Sequence, residues 1–351
     1  MARTAEELIG QLIAHKTGEL ASLMTHLGLR LGLFEAMRGQ GAVGVDDLAE
    51  TVGLHRRWVL EWLRQQTASG VTEYVDEESF RLSDEVAGLL LDDHAAAYVG
   101  WLFHGRPMGG ERIDRLVEAF ETGIGMSWDD HGDEGAHMVE ISTGAEHKRL
   151  PTEILPMLPD VAEKLRAGGT AIDVGCGSGV AICEMATAFP EATFVGIDPS
   201  PTAIARAKAR AEAAGLENVE LSVAAAEEFD GSHMFDLVMV LDCMHDMTHP
   251  QEAAKAIRGI VADDGAWLVK DVRCQDTLRE NLHHPMGALL YGISIGFCMS
   301  SSMSKPDGAG LGTLGFSANT ARAMTEAAGF TRFRELDYDG DPLNAFYEVR
   351  P

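Results

Sequence analysis

The chain has 351 residues, enough for two domains, and its 46% hydrophobic and 24% charged composition can build a sizeable core. That excludes a disordered chain, a collagen-like repeat and a disulfide miniature. Twenty-eight Lys and Arg against 55 Asp and Glu give a net charge of −27, so nucleic acid and anionic membranes repel the chain unless a local basic patch reverses the field. No apolar run approaches the roughly 20 residues of a membrane helix. The opening MARTAEELIGQL has no apolar signal core. Five widely spread cysteines (176, 183, 243, 274, 298) without a CxxC fit reduced thiols, so a cytoplasmic location is expected.

Residues 1–100 read as a mostly helical domain. Leu8, Leu12, Leu20, Leu23, Leu27, Leu31 and Phe34 recur at helical spacing. Residues 26–38, HLGLRLGLFEAMR, read as one helix, apolar on more than one face and suited to packing against a second subunit. A short helix over 45–54 stops near Gly53, and a longer one over 55–70 ends at Gly70 with Val59, Trp62, Leu63 and Gln66 on one face. A hairpin around 76–79 follows. Helix, turn, helix, hairpin is a winged helix-turn-helix. Residues 41–95 hold four basic residues (Arg56, Arg57, Arg64, Arg81) and twelve acidic ones, a local balance of −8. Phosphate contacts dominate DNA affinity, so the sign is wrong for DNA. The module is expected to dimerise and to roof a site.

Residues 101–165 read as a helical connector and lid. Its stretch GMSWDDHGDEGAHM (125–138) is expected to close over a ligand, with Trp128 as a stacking residue and His137 within reach of the pocket. From 166 onward short β runs alternate with helical runs. The sharpest motif is TAIDVGCGSG (170–179): a strand runs into Gly175, Gly177 and Gly179, and a helix follows. Glycines there let the backbone turn tightly and approach a ligand. A second strand, TFVGID, ends in Asp198, where an acid can accept hydrogen bonds from ribose hydroxyls. The dinucleotide fingerprint GxGxxG fails, because its last position is Val180. Asp173, beside the turn, would repel a pyrophosphate but suits a ligand with a cationic amino-acid end. S-adenosylmethionine (SAM) is such a ligand.

On these residues the chain resembles a class I SAM-dependent methyltransferase, over 168–272 and 316–351. The resemblance implies an α/β fold with a Rossmann-like seven-stranded sheet and an antiparallel final strand. It assigns Asp173, Gly175, Cys176, Gly177, Gly179, Asp198, Pro199, Leu241 and Asp242 to the cofactor site. In the third turn the family's adenine-reading acid is replaced by Ala225, which leaves Glu227 or the Ala226 backbone for that role. With a winged helix in front, the chain is similar to two-domain O-methyltransferases, especially of bacterial and actinobacterial type, that act as homodimers on small molecules.

In LDCMHDMTHP (241–250), His245 and Asp246 match the His-Asp pair of the plant-type O-methyltransferases, whose histidine is the general base; Met247 stands where they have Trp. Independently, imidazole titrates near 6.5 and can accept a proton at neutral pH. His245 is therefore expected as the base, with Asp246 supporting it. His249 is four residues on, but Pro250 starts the next helix, so both histidines fall in a loop and no metal is expected. His283 and His284 are further candidates for the pocket. An insert at about 275–316 is expected to form an apolar substrate wall with Met286, Tyr291, Phe297, Met299 and Met303, while Leu289, Leu290 and Ile293 suit a core helix. Its Gly-rich end (308–315) is no phosphate cradle, because no Lys-Ser/Thr follows. The expected activity is methyl transfer to a small, largely apolar acceptor, most simply at oxygen. C- or N-methylation, or a SAM-binding transcription regulator, are the alternatives.

Overall fold

The computed structural model describes residues 3–76, 78–95, 97–104, 109–228 and 233–351. The chain divides into two compact units, Met1–Gly109 and Gly110–Pro351. Of the connector read from the sequence over 101–165, residues 110–165 fall in the second unit.

The first unit opens with α1 (Ala5–Arg30), whose N-terminus is closed by a reciprocal Thr4–Glu7 capping box. The single helix expected over 26–38 is instead two. Gly32, at φ +69°, breaks it, and α2 (Leu33–Met37) follows. Then come β1 (Ala42–Gly44), α3 (Val45–Val52), α4 (Arg56–Ala68), β2 (Glu73–Asp76), β3 (Ser79–Arg81) and α5 (Asp84–Leu91). The wing has three strands, in the order β1-β3-β2. Val59, Trp62, Leu63 and Gln66 are all buried on α4. Trp62 meets Phe34 edge-on at 5.0 Å and donates its indole N–H to the Met24 carbonyl at 2.8 Å. Of the leucines expected to pack along α1, Leu8, Leu12 and Leu20 are exposed, together with Ile9 and Ile13.

All four arginines of the winged module are paired with acids. Arg56 bonds Asp46 and Glu78 at 2.6 Å each, Arg57 bonds Glu61 at 2.5 Å, Arg64 lies 3.8 Å from Glu61, and Arg81 pairs with Glu73.

The second unit begins with α6 (Gly110–Thr122), α7 (Gly132–His147) and α8 (Pro159–Arg166). The sheet region runs β4 (Thr170–Val174), α9 (Val180–Ala188), β5 (Thr193–Asp198), α10 (Pro201–Ala213), β6 (Val219–Val223), β7 (Phe235–Leu241), α11 (Pro250–Ile260) and β8 (Val261–Val272). The insert holds α12 (Leu278–Asn281), α13 (Gly287–Ile293) and α14 (Met299–Ser302), and the chain closes with α15 (Ala318–Ala327), β9 (Arg332–Glu335) and β10 (Asn344–Arg350). The seven strands lie in the order β6-β5-β4-β7-β8-β10-β9. The first five are parallel, and β10 runs antiparallel to both its neighbours. This is the sheet that the motif order implied.

The central strands are apolar on both faces, as parallel strands between two helix layers must be. Ala171, Leu237, Met239 and Leu268 pack on one side, and Ile172, Val238, Trp267 and Val269 on the other. The strand order reverses between β4 and β7, and in such sheets the crevice opens at the carboxyl ends of those strands. Among the described residues no helix is long and apolar enough to cross a membrane.

Gly28 gives a test of the first unit's packing. A Cβ there would collide with the Trp62 ring and lie 2.5 Å from the Phe34 ring. Gly→Ala inside a helix normally stabilises by up to about 1 kcal/mol. Here the sign is expected to reverse: Gly28→Ala should cost about 1–3 kcal/mol in urea denaturation, because two large rings must move. A gain in stability would show that the rings yield without strain.

Candidate active site

The carboxyl ends of β4, β5 and β7 open into a cleft of about 320 Å³. Its floor is the glycine turn. Gly175, Gly177 and Gly179 all have left-handed backbones, with φ of +77°, +52° and +74°. A Cβ at Gly175 would sit 2.5 Å from the Cys243 sulfur, so the turn needs glycine for space as well as for conformation. The Gly175 and Cys176 N–H groups donate to the Ile197 carbonyl at 2.8 and 3.0 Å. Gly177 N–H donates to Asp198 Oδ2 at 3.0 Å, and Ser200 N–H to Asp198 Oδ1 at 2.8 Å. Asp198 is thus fixed by two backbone donors at the end of β5. Burial still holds its carboxyl above the ordinary range.

Gly175, Cys176, Gly177, Asp198, Pro199, Ala225, Ala226, Glu227, Leu241 and Asp242 all line the cleft. Two of the expected cofactor residues do not. Gly179 caps α9, and a Cβ there would lie 2.8 Å from the Ala207 Cβ, so it serves the close packing of α9 on α10. Asp173 is 1% exposed behind the turn, and its Oδ1 has no hydrogen-bond partner. Burial, reinforced by the charge of Asp198, pushes its carboxyl up to about 7.

Asp242, at the end of β7, has φ +57° and donates its N–H to the Lys270 carbonyl at 2.8 Å. Lys270 is fully buried on β8. Its ammonium binds Glu146 of α7 at 2.5 Å and also the Asp242 carboxylate. Burial opposes the ammonium, yet the two carboxylates hold it charged, while burial raises both carboxyls. His147, next to Glu146, lines the cleft with an unpartnered Nε2, and burial together with Lys270 keeps it neutral.

The connector closes one side of the cleft. Ser127, Trp128 and Asp129 line it, as do Ala136, Val139, Glu140 and Thr143 of α7. Trp128 donates its indole N–H to Asp246 Oδ2 at 2.5 Å and stacks on Phe297 at 6.0 Å. Ser200 bonds Asp129 at 2.6 Å, and Gly125 and Met126 bond the insert at Met303 and Ser300. Glu140 binds Arg206 at 2.7 Å and also Arg210. Of the stretch 125–138 expected as a lid, Ser127, Trp128, Asp129 and Ala136 line the cleft, while Val139, Glu140, Thr143 and His147 of α7 escaped the sequence reading. His137 does not reach it. It is exposed, beside Arg206 at 3.1 Å.

His245 is 3% exposed and does not line the cleft itself. Its Nδ1 meets Asp271 Oδ1, at the end of β8, at 2.6 Å. Asp246 is therefore not its supporting partner: Asp271 is, and Asp246 turns to Trp128. Burial disfavours the imidazolium, but Asp271 outweighs it and lifts the imidazole well above its ordinary value. His245, Asp246 and Cys298 offer atoms within 4.8 Å of one another. Such a set could bind a metal, but His245 is already bonded to Asp271 and Asp246 to Trp128. His249 caps α11, with Pro250 in its first turn, and lies 3.1 Å from Asp307 and 3.7 Å from Glu227.

The expected apolar wall is not on this cleft. Met286 packs on Val272, Cys274, Leu290 and Leu314, Tyr291 is exposed, and Met299 lies outside the lining. The insert contributes Ser301, Ser304 and Lys305 instead. Of Leu289, Leu290 and Ile293, only Leu290 is core. His283 is exposed, and His284 accepts from the Met286 N–H at 3.1 Å.

Comparison with known proteins agrees with this arrangement. Residues 165–293 match the model of a methyltransferase domain, and residues 19–91 that of an Rv2258c-like winged helix-turn-helix domain. The chain carries a methyltransferase domain. Over 82 residues it is 39% identical to a ubiquinone biosynthesis O-methyltransferase of Rhodopseudomonas palustris, covering 23% of this chain and 31% of that protein. The chain spans 22% to 50% of the length of the first curated relatives that it matches. Two solved structures share the fold over nearly the whole chain. A mitomycin 7-O-methyltransferase superposes with a TM-score of 0.70 at 18% identity, covering 99% of this chain and 97% of that one. Human N-acetylserotonin methyltransferase, solved with SAM, gives 0.63 at 15%, covering 100% and 99%. Identities this low speak for the fold alone.

The buried ammonium can be tested directly. Lys270→Met should cost about 3–5 kcal/mol near pH 8, because two buried carboxylates lose their cation. The loss should shrink toward pH 5, where carboxyls whose folded-state values are raised take up protons. Urea denaturation at both pH values reads this. An equal loss at both would mean that side-chain packing, not charge, is what Lys270 supplies.

Proposed function

We propose that this protein is a SAM-dependent methyltransferase that acts at an oxygen of a small, largely apolar acceptor. The observation that carries the reading is the glycine turn between the buried Asp173 and the half-buried Asp198, within a methyltransferase domain. The donor set fits the cofactor. Asp198, held by two N–H groups, retains lone pairs for ribose hydroxyls. Asp242 Oδ1, on the cleft lining, is a buried acceptor without a partner, which suits an ammonium, and Asp173 Oδ1, behind the turn, adds a second unpartnered acid at that end. Ala225, Ala226 and Glu227 border the adenine end. When bound, the cofactor supplies a methyl group already activated on a sulfonium.

The chain's own task is then to align the acceptor and remove its proton. His245 does so as general base. Asp271, at 2.6 Å, fixes its ring and leaves the other nitrogen for the acceptor. Asp271 is the orienting residue that the sequence reading had assigned to Asp246.

Two further readings belong to the same proposal. The exposed apolar side chains of α1 (Leu8, Ile9, Leu12, Ile13 and Leu20) suit a second copy of the chain, which makes a homodimer. The paired arginines of the winged module leave phosphate unattractive, so the partner is a small molecule and not nucleic acid. Five free thiols suit the cytoplasm.

Transfer of labelled methyl from SAM to a panel of phenols, carboxylic acids, amines and lipids tests the reading. His245→Ala should slow transfer to a hydroxyl roughly 10²–10⁴-fold while SAM still binds. Full rate in that variant would refute the base. The pH profile is a second check. The neutral imidazole is the active form and its titration is lifted by Asp271, so the rate should fall as pH drops through a value above 6.5. Asp271→Asn should move that midpoint to lower pH and reduce the plateau. An unmoved midpoint would separate Asp271 from the base.

A further inference from the structure

Six carboxylates line the cleft, from Asp129, Glu140, Asp198, Glu227, Asp242 and Asp246, against one lysine, Lys305. Five are already answered. Glu140 has Arg206 and Arg210, and Asp242 has Lys270. Asp198 accepts two backbone N–H groups, and Asp129 accepts the Ser200 hydroxyl. Glu227 faces His249. Asp246 differs. It is 7% exposed, and its hydrogen-bond donor is the neutral indole of Trp128.

The groups around Asp246 offset it only in part, through the charge of His245, which pulls its carboxyl down. His245 is adjacent, but Asp271 claims its ring at 2.6 Å. Asp271 and Asp198 add negative field from β8 and β5. Cys243 on the same loop and Cys298 from the insert bring only thiols. The wall of the cleft therefore holds one buried carboxylate whose nearest positive charge is shared with a second carboxylate, Asp271. A charge so placed calls for a cation.

Resting on the SAM reading above, we propose that Asp246 is the counter-ion of the cofactor's sulfonium and that Trp128 holds it in position. The sulfonium is the charge that separates SAM from its product S-adenosylhomocysteine (SAH). The two share the ammonium, the carboxylate and the nucleoside. Asp246 is thus the residue by which the cleft distinguishes cofactor from spent cofactor.

The titration of Asp246 makes this measurable. Burial pushes the Asp246 carboxyl up to about 7, against the opposing pull of His245 and of the Trp128 hydrogen bond. A sulfonium beside it lowers that value, so binding at neutral pH expels a proton. Asp173 is also pushed up to about 7, but its cationic partner, the ammonium, belongs to both ligands. Proton release by Asp173 is common to SAM and SAH. The excess released by SAM belongs to Asp246.

The experiment is isothermal titration calorimetry of the full chain with SAM and with SAH, from pH 6 to 8, in two buffers of different ionisation enthalpy. SAM should release about half a proton more than SAH near pH 7. The preference for SAM over SAH should weaken below pH 7, by up to about tenfold per pH unit. Asp246→Asn should abolish the excess proton and weaken SAM at least about tenfold, the effect of one pKa unit. Its SAH affinity should be unchanged, which also shows that the variant is folded. Trp128→Phe should move the proton-release maximum to higher pH. Equal proton release by SAM and SAH, or an excess that survives in Asp246→Asn, would overturn the inference and leave the cofactor reading intact. Binding of neither ligand would overturn both.

Discussion

Negative charge buried at the carboxyl end of the sheet is the constraint around which the second unit is arranged. Asp173, Asp198, Asp242, Asp246 and Asp271 end four neighbouring strands or the loops that follow them. Isolated carboxylates at such depth cost several kcal/mol each. The fold answers each in a different way. Asp198 receives backbone N–H groups, which are available because Gly177 turns left-handed. Asp242 receives Lys270, whose second partner, Glu146, ties α7 to the sheet. Asp271 receives His245. Asp173 receives no charge within the chain, Asp246 shares that of His245 with Asp271, and theirs are the two of these five carboxyls pushed up to about 7. A site that stays incomplete in this way is specific for a cation, because a neutral ligand leaves the desolvation unrelieved.

What could be read in the sequence was whatever is local. The glycine turn, the acid two residues before it and the acid ending the next strand lie within 30 residues of one another, and each acts through backbone geometry that its own spacing reveals. The sheet order followed, because alternating β and helical runs allow few topologies. Asp271 escaped because its partner is 26 residues away, across two parallel strands. His245 and Asp246 are adjacent in sequence, so they read as a pair, yet their side chains leave the loop in different directions. The α7 residues escaped for a similar reason. Glu140, Thr143 and His147 follow helical spacing, but nothing local says which face meets the cleft. The insert misled through composition. Methionine and tyrosine suit an apolar pocket, and here Met286 went to a small separate core while Tyr291 stayed at the surface.

The winged module shows how far composition can carry a negative conclusion. A local balance of −8 already opposed phosphate binding. The structure supplies the mechanism, because each arginine of the α4 and wing surface is paired with a neighbouring acid. Exposed pairs of this kind contribute little stability. Their effect is on the field: a guanidinium that holds a carboxylate has little to offer a phosphate. Packing, not charge, organises this unit, through Phe34, Trp62 and the bare backbone of Gly28 between them.

If His245 is the base and Asp246 the counter-ion, as proposed, their placement on consecutive residues would govern the charge of the site during turnover. Before transfer, Asp246 faces the positive sulfonium and His245 must be neutral to accept a proton. After transfer, the sulfonium charge is gone and His245 holds the acceptor's proton. The imidazolium then stands beside Asp246 in place of the cation that was lost, so the buried carboxylate is compensated on both sides of the reaction. Asp271 contributes by stabilising the imidazolium, and Trp128 by keeping Asp246 directed at the same region throughout. Were Asp246 bonded to His245, as adjacency suggested, it would leave the sulfonium unanswered. The division of labour between Asp271 and Asp246 lets one short loop serve both charges in turn.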